Sequence, residues 1–354
     1  MVVVAWTPTN VDISTTDFDE LLGITGLCKL VNQKASSDTF CKFNVFTGNH
    51  QQLAPNGYDR YILGFWFEVF DQNIFLKFYY DNPQAEFLIL TDMMPNDLIL
   101  LDRCKHVQLI HWKWFLEQYP VQFSTQRKKY KISSLSNRVN EYKFFITANL
   151  LNKSDVYMTW NACYHQHVSY NYIFSPTGWP NRDKLLAHTE KLKKPVNQET
   201  FINDPGKSFS IGSTHPAYTE SCVNLINETN DICWDSNFGI LPGPYLTEKT
   251  WKPLLLGNAL LFSGQHNIKT VLEQVGFNFE YPWQDNYSHL PGDLERLDLL
   301  LNLIDQILSM DIDKIQDGIQ NSVLHNQNLI QSGHVHQYID EKNQDGLDYL
   351  TKLL

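Results

Sequence analysis

The chain has 354 residues, of which 43% are hydrophobic and 19% charged, and its formal net charge is −11. This composition excludes global disorder, allows two domains of ordinary size and argues against a general affinity for nucleic acid. The six cysteines form no C-x-x-C pair, which is typical of free thiols in a reducing compartment. No apolar run reaches the roughly 18 residues of a membrane span, and the first residues lack a signal-peptide pattern, so we expect a cytoplasmic protein.

The first half of the chain alternates short apolar runs with polar linkers. Strands are predicted over 2–6, 86–90 and 107–110, the stretch 61–69 is apolar and aromatic, and 75–80 fits a strand or a helix equally well. Strands that alternate with linkers indicate an α/β layer.

A dense basic run, Gln126-Arg-Lys-Lys-Tyr-Lys131, follows this half. It fits either a solvated connection or a patch that faces phosphate. We place a domain boundary here, which gives an α/β domain over 1–126 and a second α/β domain over 127–313. The remaining residues, 314–354, are predicted to be C-terminal helices, with the option that they pack back on the first domain.

The second half repeats the order of strand, polar turn and helix. Elements are predicted as a strand over 131–135, a helix over 139–151, strands over 209–212 and 222–226, and helices over 268–275 and 294–310.

The segment from Pro244 to Gly264 predicts a loop, a helix and a short buried strand. A helix start offers free N–H groups and partial positive charge, which suit a phosphate. Lys249 would add a full charge there, and Glu248 could accept hydrogen bonds from a sugar hydroxyl. Because Pro253 cannot donate a backbone hydrogen bond, we prefer Thr250 over Thr247 as the N-cap, or else a bent first turn. The plainer interpretation is a capped surface helix with a solvated charge pair.

Three short patterns could suggest a metal site, and we expect none of them to form one. The D-x-D spacing of Asp311-Ile-Asp313 lies between two predicted helices, where metal-dependent sugar transferases would have it at a strand end. The pairs His165-Gln-His167 and His334-Val-His336 lack a third ligand in the sequence. We therefore expect no metal and no bound cofactor.

Three segments, in this order along the chain, resemble the α-1,3-fucosyltransferase family. They are Ser136-Asn137 after a strand, the stretch Asn224-Leu-Ile-Asn-Glu228, and Tyr245-Leu-Thr-Glu-Lys249 before a helix. The resemblance covers roughly residues 130–290, and the first 125 residues show no match to the family. The chain also looks similar to uncharacterised bacteriophage proteins with a Thr-Glu-Lys-Thr segment.

The resemblance implies the GT-B fold, in which two Rossmann-like domains face each other across a cleft. It implies a glycosyltransferase whose second domain binds a nucleotide sugar, the substrate that donates the sugar. Lys249 would neutralise the diphosphate together with Lys143 or Arg138, and Glu248 would bind the ribose. The remaining donor-binding residues implied by the matched motifs are Tyr245, Thr247, Asn137 and Glu228.

The catalytic base should be an acidic residue of the first domain that deprotonates the acceptor hydroxyl. Ligands gather at the carboxyl edge of α/β sheets. Asp92 follows a predicted strand and is our first choice, with Glu68 and Asp81 as rivals.

The acceptor is expected to be a sugar or another hydroxyl compound, and the phage similarity adds a hydroxylated base of phage DNA, in the host cytoplasm. With a net charge of −11, DNA binding would need a local patch at the mouth of the cleft, made by Arg127, Lys128, Lys129 and Lys131. The alternative function is a non-catalytic phage structural or binding protein that keeps a glycosyltransferase-like shell.

Overall fold

A computed structural model describes twelve stretches of the chain: 2–6, 40–44, 57–65, 72–91, 106–111, 127–136, 141–150, 153–160, 216–227, 246–263, 268–290 and 293–353. The chain divides into two compact units. The first unit comprises Met1–Gln118, Asn237–Leu246 and His334–Leu354, and the second comprises Tyr119–Ser236 and Thr247–Gly333. The predicted boundary near residue 126 lies outside the described residues and stays a prediction.

The first unit contains a parallel sheet with the strand order β2-β1-β3-β4-β5. Its strands are β1 (Val2–Trp6), β2 (Phe40–Asn44), β3 (Arg60–Phe65), β4 (Glu86–Thr91) and β5 (Val107–His111). The strands predicted over 2–6, 86–90 and 107–110 are thereby confirmed.

The ambiguous stretch 75–80 is helical and belongs to α1 (Gln72–Asp81). Phe75, Phe78 and Tyr79 are buried at helical spacing, and their rings lie 5.7, 6.0 and 5.6 Å from the ring of Phe87 on β4. Tyr80 is 64% exposed on the other side. Contact with the sheet therefore selects the helical period, which the apolar composition of the stretch leaves open.

The last helix of the chain, α8 (His334–Leu353), is part of the first unit and covers the edge strand β5. The Asn343 side chain accepts a hydrogen bond from the His111 N–H and donates one to the His111 carbonyl, both at 2.7 Å. Tyr349 donates to the Glu86 carboxylate at 3.0 Å. The Asn343 amide thus occupies backbone groups of β5 that an edge strand would otherwise leave open.

The second unit contains a parallel sheet with the order β7-β6-β8-β9. Its strands are β6 (Tyr130–Ser136), β7 (Val156–Trp160), β8 (Ser221–Ile226) and β9 (Ala259–Phe262). Its helices are α2 (Glu141–Leu150), α3 (Pro216–Thr219), α4 (Glu248–Leu255), α5 (Ile268–Val275), α6 (Asp293–Ser309) and α7 (Ile312–Gln331). The strands predicted over 131–135 and 222–226 are confirmed, and the one predicted over 209–212 lies outside the described residues.

Both sheets follow the same doubly wound order, in which the second strand lies on one side of the first and the later strands on the other. This order is that of flavodoxin-like sheets. The α/β class with parallel sheets is therefore confirmed. In the second sheet the direction of winding changes between β6 and β8, and the carboxyl edge at such a switch point is where α/β proteins bind ligands.

The core of the second unit forms where α6 and α7 pack on this sheet. The sheet contributes buried apolar side chains such as Ile132, Val223 and Leu261, and the helices contribute Ile304 and Ile315. Burial of each side chain of this size stabilises the fold by about 1.5–3 kcal/mol.

The free edge of β9 is satisfied by two tyrosines of the segment that follows α5. The Leu260 N–H donates to the Tyr281 hydroxyl at 3.2 Å, and the Phe262 N–H donates to the Tyr287 hydroxyl at 2.8 Å. Burial raises the pKa of both hydroxyls above the ordinary tyrosine value. The two hydroxyls therefore stay protonated and complete the hydrogen bonding of β9.

Candidate functional site

The site predicted from the sequence centres on the start of α4, which Thr247 caps. The Thr247 hydroxyl accepts a hydrogen bond from the Lys249 N–H at 3.3 Å, and its own backbone is extended, with φ −100° and ψ −173°. The preference for Thr250 as the cap is therefore wrong. Thr250 already lies in the helix, where its N–H donates to the Thr247 carbonyl at 3.1 Å.

Pro253 lies inside α4, where it cannot donate to the Lys249 carbonyl, and the apolar face of the helix anchors it. The N–H groups of Thr250 and Trp251 both point to the Thr247 carbonyl, at 3.1 and 3.3 Å. Trp251 and Leu254 are 3% and 1% exposed. The helix ends at Leu255 and is capped by Leu256, and the next residue, Gly257, has a φ of 78° in the left-handed region that glycine adopts without strain.

The Lys249 side chain turns back towards the cap, with its ammonium nitrogen 3.1 Å from the Thr247 hydroxyl. One hydroxyl therefore holds both the backbone and the charged group of Lys249 at the start of the helix. The cap uses the N–H groups of Lys249 and Thr250, but the positive end of the helix dipole together with a cation still favours an anion such as phosphate. Glu248 is the first residue of α4.

Lys143 lies in the first turn of α2, the helix that follows β6, and is only 5% exposed. In a parallel β-α-β unit the connecting helix begins at the carboxyl edge of the sheet. α2 connects β6 to β7, and α4 lies between β8 and β9. The topology therefore places the helix starts that carry Lys143 and Lys249 at the same edge.

A buried polar network, which sequence reasoning missed, lies at this carboxyl edge. The Asn227 side chain donates to the Ser134 hydroxyl at 3.0 Å and accepts from the Ser263 hydroxyl at 2.6 Å. All three residues are at most 2% exposed. The signal in the sequence is the polar residue that directly follows each of the apolar strands β8 and β9.

Several predicted site residues lie outside the described residues: Asp92, Glu68, Asn137, Arg138, Glu228 and Tyr245. Asp81, the third candidate for the base, is the exposed last residue of α1. Since α1 leads into β4, its end lies at the amino edge of the first sheet. Asp81 is therefore on the wrong edge for the role of base.

The basic run is integrated into the second unit. Lys128 is 8% exposed, and its ammonium donates to the Tyr218 carbonyl at 3.1 Å and to the Asn258 side chain at 2.9 Å. Burial lowers the pKa of Lys128 to about 8, and burial also raises the pKa of the Cys222 thiol to about 11. Lys128 thus ties the end of α3 to the residue before β9.

The other cations of the run also contact the second unit. Lys131 donates to the Leu308 carbonyl at 2.8 Å and forms an ion pair with Asp155 at 3.1 Å. Lys129 lies 3.9 Å from Glu220, and Arg127 lies 3.4 Å from Asp313. The predicted phosphate-facing patch of four cations is therefore wrong for Lys128, which is buried, and Lys131 has only 14% of its side chain exposed.

Asp311 and Asp313, the D-x-D pair, have contacts at the start of α7. Asp311 is the N-cap and accepts from the Asp313 N–H at 2.9 Å, while the Asp313 carboxylate contacts Arg127. Within the described stretches, no group of three or more His, Cys, Asp or Glu residues is placed to hold a metal ion. The same stretches contain no helix with the length and apolarity to cross a membrane.

No protein-family model matches the chain, and no curated protein matches it. Among solved structures, the chain is similar to one from E. coli described as trehalose-6-phosphate bound with UDP-2-fluoro glucose. The TM-score is 0.41 and the sequence identity 9%, over 97% of this chain and 98% of that chain. A similarity of this strength supports no inference about the activity or the substrate of this chain.

Proposed function

We propose that this protein is a nucleotide-sugar-dependent glycosyltransferase of the GT-B type, which transfers a sugar to an acceptor hydroxyl. One observation carries the proposal: a doubly wound parallel sheet has at its carboxyl edge a capped helix start that holds the ammonium of Lys249. The residues around it are those of the Tyr245–Lys249 segment, which resembles the donor-binding motif of α-1,3-fucosyltransferases.

The donor diphosphate would bind at the start of α4. The positive end of the α4 dipole and the Lys249 ammonium lie in a fixed position, so they would stabilise the negative charge that develops on the leaving diphosphate. Lys143, with Arg138 as the alternative, would supply the second cation. Glu248 would accept hydrogen bonds from the ribose hydroxyls, and Tyr245, Asn137 and Glu228 would complete the donor site.

In the transfer step, the acceptor oxygen forms a bond to the anomeric carbon while the bond from that carbon to the diphosphate oxygen breaks. The acceptor proton passes to a carboxylate of the first unit, for which Asp92 is the first choice and Glu68 the second. The diphosphate leaves with the electron pair of the broken bond. The expected GT-B arrangement assigns the donor to the second unit and the acceptor to the first.

The proposed acceptor is a sugar or another small hydroxyl compound, and the proposed location is the cytoplasm. A hydroxylated base of phage DNA is the macromolecular alternative. It would need cations in addition to the basic run, because Lys128 of that run is buried and Lys131 has only 14% of its side chain exposed. Duplex binding draws much of its affinity from such cations.

The proposal is tested by thermal unfolding in the presence of ADP, CDP, GDP, UDP and dTDP, each against its nucleoside. A ligand that binds only the folded protein at 100 times its dissociation constant stabilises it by about 2.7 kcal/mol. We expect one diphosphate to raise the midpoint clearly more than its nucleoside. The matching nucleotide sugar should then be hydrolysed slowly without an acceptor. Binding without hydrolysis would indicate a non-catalytic binding protein, and no stabilisation by any diphosphate would refute the donor site.

A further inference from the structure

The carboxyl ends of three neighbouring strands in the second unit are joined by the side chain of one residue, Asn227. Asn227 is the first residue after β8, Ser263 is the first residue after β9, and Ser134 lies near the end of β6. The Asn227 amide donates to Ser134 and accepts from Ser263, and the Ser263 hydroxyl also lies 3.1 Å from the Ile226 carbonyl.

This network crosses the switch point of the sheet. The segment that follows β6 leads to β7 on one side of the sheet, and the segment that follows β8 leads to β9 on the other side. The two segments therefore diverge between β6 and β8. The Asn227–Ser134 hydrogen bond joins β6 and β8 at the carboxyl edge, where these two segments diverge. At 1%, 0% and 2% exposure, Asn227, Ser134 and Ser263 are shielded from the solvent that would otherwise compete for their hydrogen bonds.

We propose that Asn227 is a positioning residue for the diphosphate site at the carboxyl edge, an inference that rests on the proposed function. β6 leads into α2, whose first turn carries Lys143, and α4, whose first turn carries Lys249, leads into β9. Because Asn227 holds the end of β8 against β6 and β9, it fixes the spacing of the two strands that adjoin these helices. Asn227 itself is not expected to touch the donor.

The chain offers a matched control at the opposite edge of the same sheet. Asn258 lies directly before β9, is 1% exposed, and also uses both ends of its amide: it donates to the Tyr218 carbonyl at 2.9 Å and accepts from Lys128. Asn227 and Asn258 therefore have the same chemistry and burial and differ in the edge they occupy. Replacement of either by alanine removes buried hydrogen bonds and should lower stability to a similar degree.

The test compares Asn227→Ala and Asn258→Ala by calorimetric titration with inorganic pyrophosphate and with the nucleoside diphosphate that stabilises the wild type most. The temperature is chosen so that circular dichroism shows all variants folded. We expect Asn227→Ala to weaken the binding of both ligands about tenfold, because the loss of one charge-assisted hydrogen bond to phosphate lowers affinity by roughly tenfold to hundredfold. Asn258→Ala should bind within about twofold of the wild type, since it perturbs only the amino edge.

Ser134→Ala is the milder variant if Asn227→Ala does not fold, because it removes only the bond across the switch point. It should weaken diphosphate binding in the same direction by a smaller factor. The positioning role would be overturned if Asn227→Ala and Asn258→Ala lose affinity equally, or if the Asn227 and Ser134 variants keep the affinity of the wild type. Either result would leave the proposed function standing. Failure of the wild type to bind any diphosphate would overturn both.

Discussion

At the scale of single residues, two lysines that look alike in the sequence have opposite environments. Lys249 keeps its ammonium at the start of a helix, 3.1 Å from the Thr247 hydroxyl. Lys128 lies in a basic run yet is buried between the Tyr218 carbonyl and Asn258. The partners that each ammonium finds in the fold decide its role, and the local density of charge does not.

Replacement of Lys249 by alanine should weaken the binding of a nucleoside diphosphate far more than the binding of the matching nucleoside. A charge-assisted hydrogen bond is worth about 1.5–3 kcal/mol, which corresponds to roughly a tenfold to hundredfold loss of affinity. Titration calorimetry measures both ligands. Lys314→Ala is the control, because Lys314 also lies in the first turn of a capped helix, α7. If the binding of the diphosphate and that of the nucleoside weaken equally, Lys249 does not contact the phosphate groups.

The buried Lys128 should make stability depend on pH. Burial lowers its pKa from 10.5 to about 8, so between these values the unfolded chain binds more protons than the folded one. The contribution of Lys128 to the free energy of unfolding therefore rises with pH above 8, by at most ~1.4 kcal/mol per unit. Cys222 acts oppositely between pH 9 and about 11, because its pKa is raised in the fold.

Urea unfolding of the wild type and Lys128→Met between pH 7 and 9 isolates this effect. The difference in unfolding free energy should shift in favour of the wild type above pH 8 and stay constant below it. Lys129→Met is the control, since the Lys129 side chain is 67% exposed. A difference that is flat across pH 8 would show that Lys128 titrates at its ordinary value.

At the scale of elements, the described edges β5 and β9 are closed by side chains from elsewhere in the chain. Asn343 of α8 pairs with both backbone groups of His111 on β5, and Tyr281 and Tyr287 accept from alternate N–H groups of β9. The same device recurs where Asn326 of α7 accepts from the Asn278 N–H at 2.7 Å and donates to its carbonyl at 2.8 Å. Side-chain amides and hydroxyls thus replace a neighbouring strand.

Tyr287→Phe should destabilise the second unit because it leaves the buried N–H of Phe262 without its acceptor. An unsatisfied buried donor costs about 1–3 kcal/mol. Denaturant unfolding gives the loss, and hydrogen exchange should be faster at the Phe262 amide. Tyr80→Phe, at a ring that is 64% exposed, should change neither quantity. If Tyr287→Phe loses no more unfolding free energy than Tyr80→Phe, the edge of β9 tolerates an N–H group without an acceptor.

At the scale of the whole molecule, the chain does not complete its first unit until its last helix. Residues Met1–Gln118 provide the sheet, and His334–Leu354 provide the helix that covers β5. The link between α7 and α8 is only Ser332-Gly333, and Gly333 has a φ of 77°. The two units are therefore discontinuous in sequence, which a linear division into domains does not represent.

A chain that ends at Gly333 should lose protection in the first unit and keep it in the second. Without Asn343 and Tyr349, the backbone of His111 and the Glu86 carboxylate lose their partners. Hydrogen exchange should accelerate in β4 and β5, while the amides of β8 stay protected. A chain that ends at Leu350 keeps both residues and is the control. Unchanged exchange in β5 would mean that α8 contributes little to the first unit.

If transfer activity is found, we expect it to persist in a chelator. Asp311 caps α7 and Asp313 contacts Arg127, so the D-x-D pair has structural partners, and cationic groups are proposed for the diphosphate instead. Activity measured with and without EDTA decides the point. Loss in EDTA that manganese or magnesium restores would require a metal site.

The sequence by itself determined the α/β class, most strand positions and the presence of a helix within residues 244–264. Short apolar runs bounded by polar residues are local signals, and a parallel sheet buries such runs on both faces. It also singled out the Lys249 segment, because Lys249 stands where the sequence predicts the start of a helix. It left open the period of 75–80 and misplaced the α4 cap.

Only the tertiary structure decided which polar groups meet. The burial of Lys128, the Asn227 network and the pairing of Asn343 with His111 join residues that are 130, 93 and 232 positions apart. No local pattern encodes such pairs, because each partner is an ordinary polar residue in its own segment. Their free energy arises when the fold removes water from both groups at once, so that each must find the other.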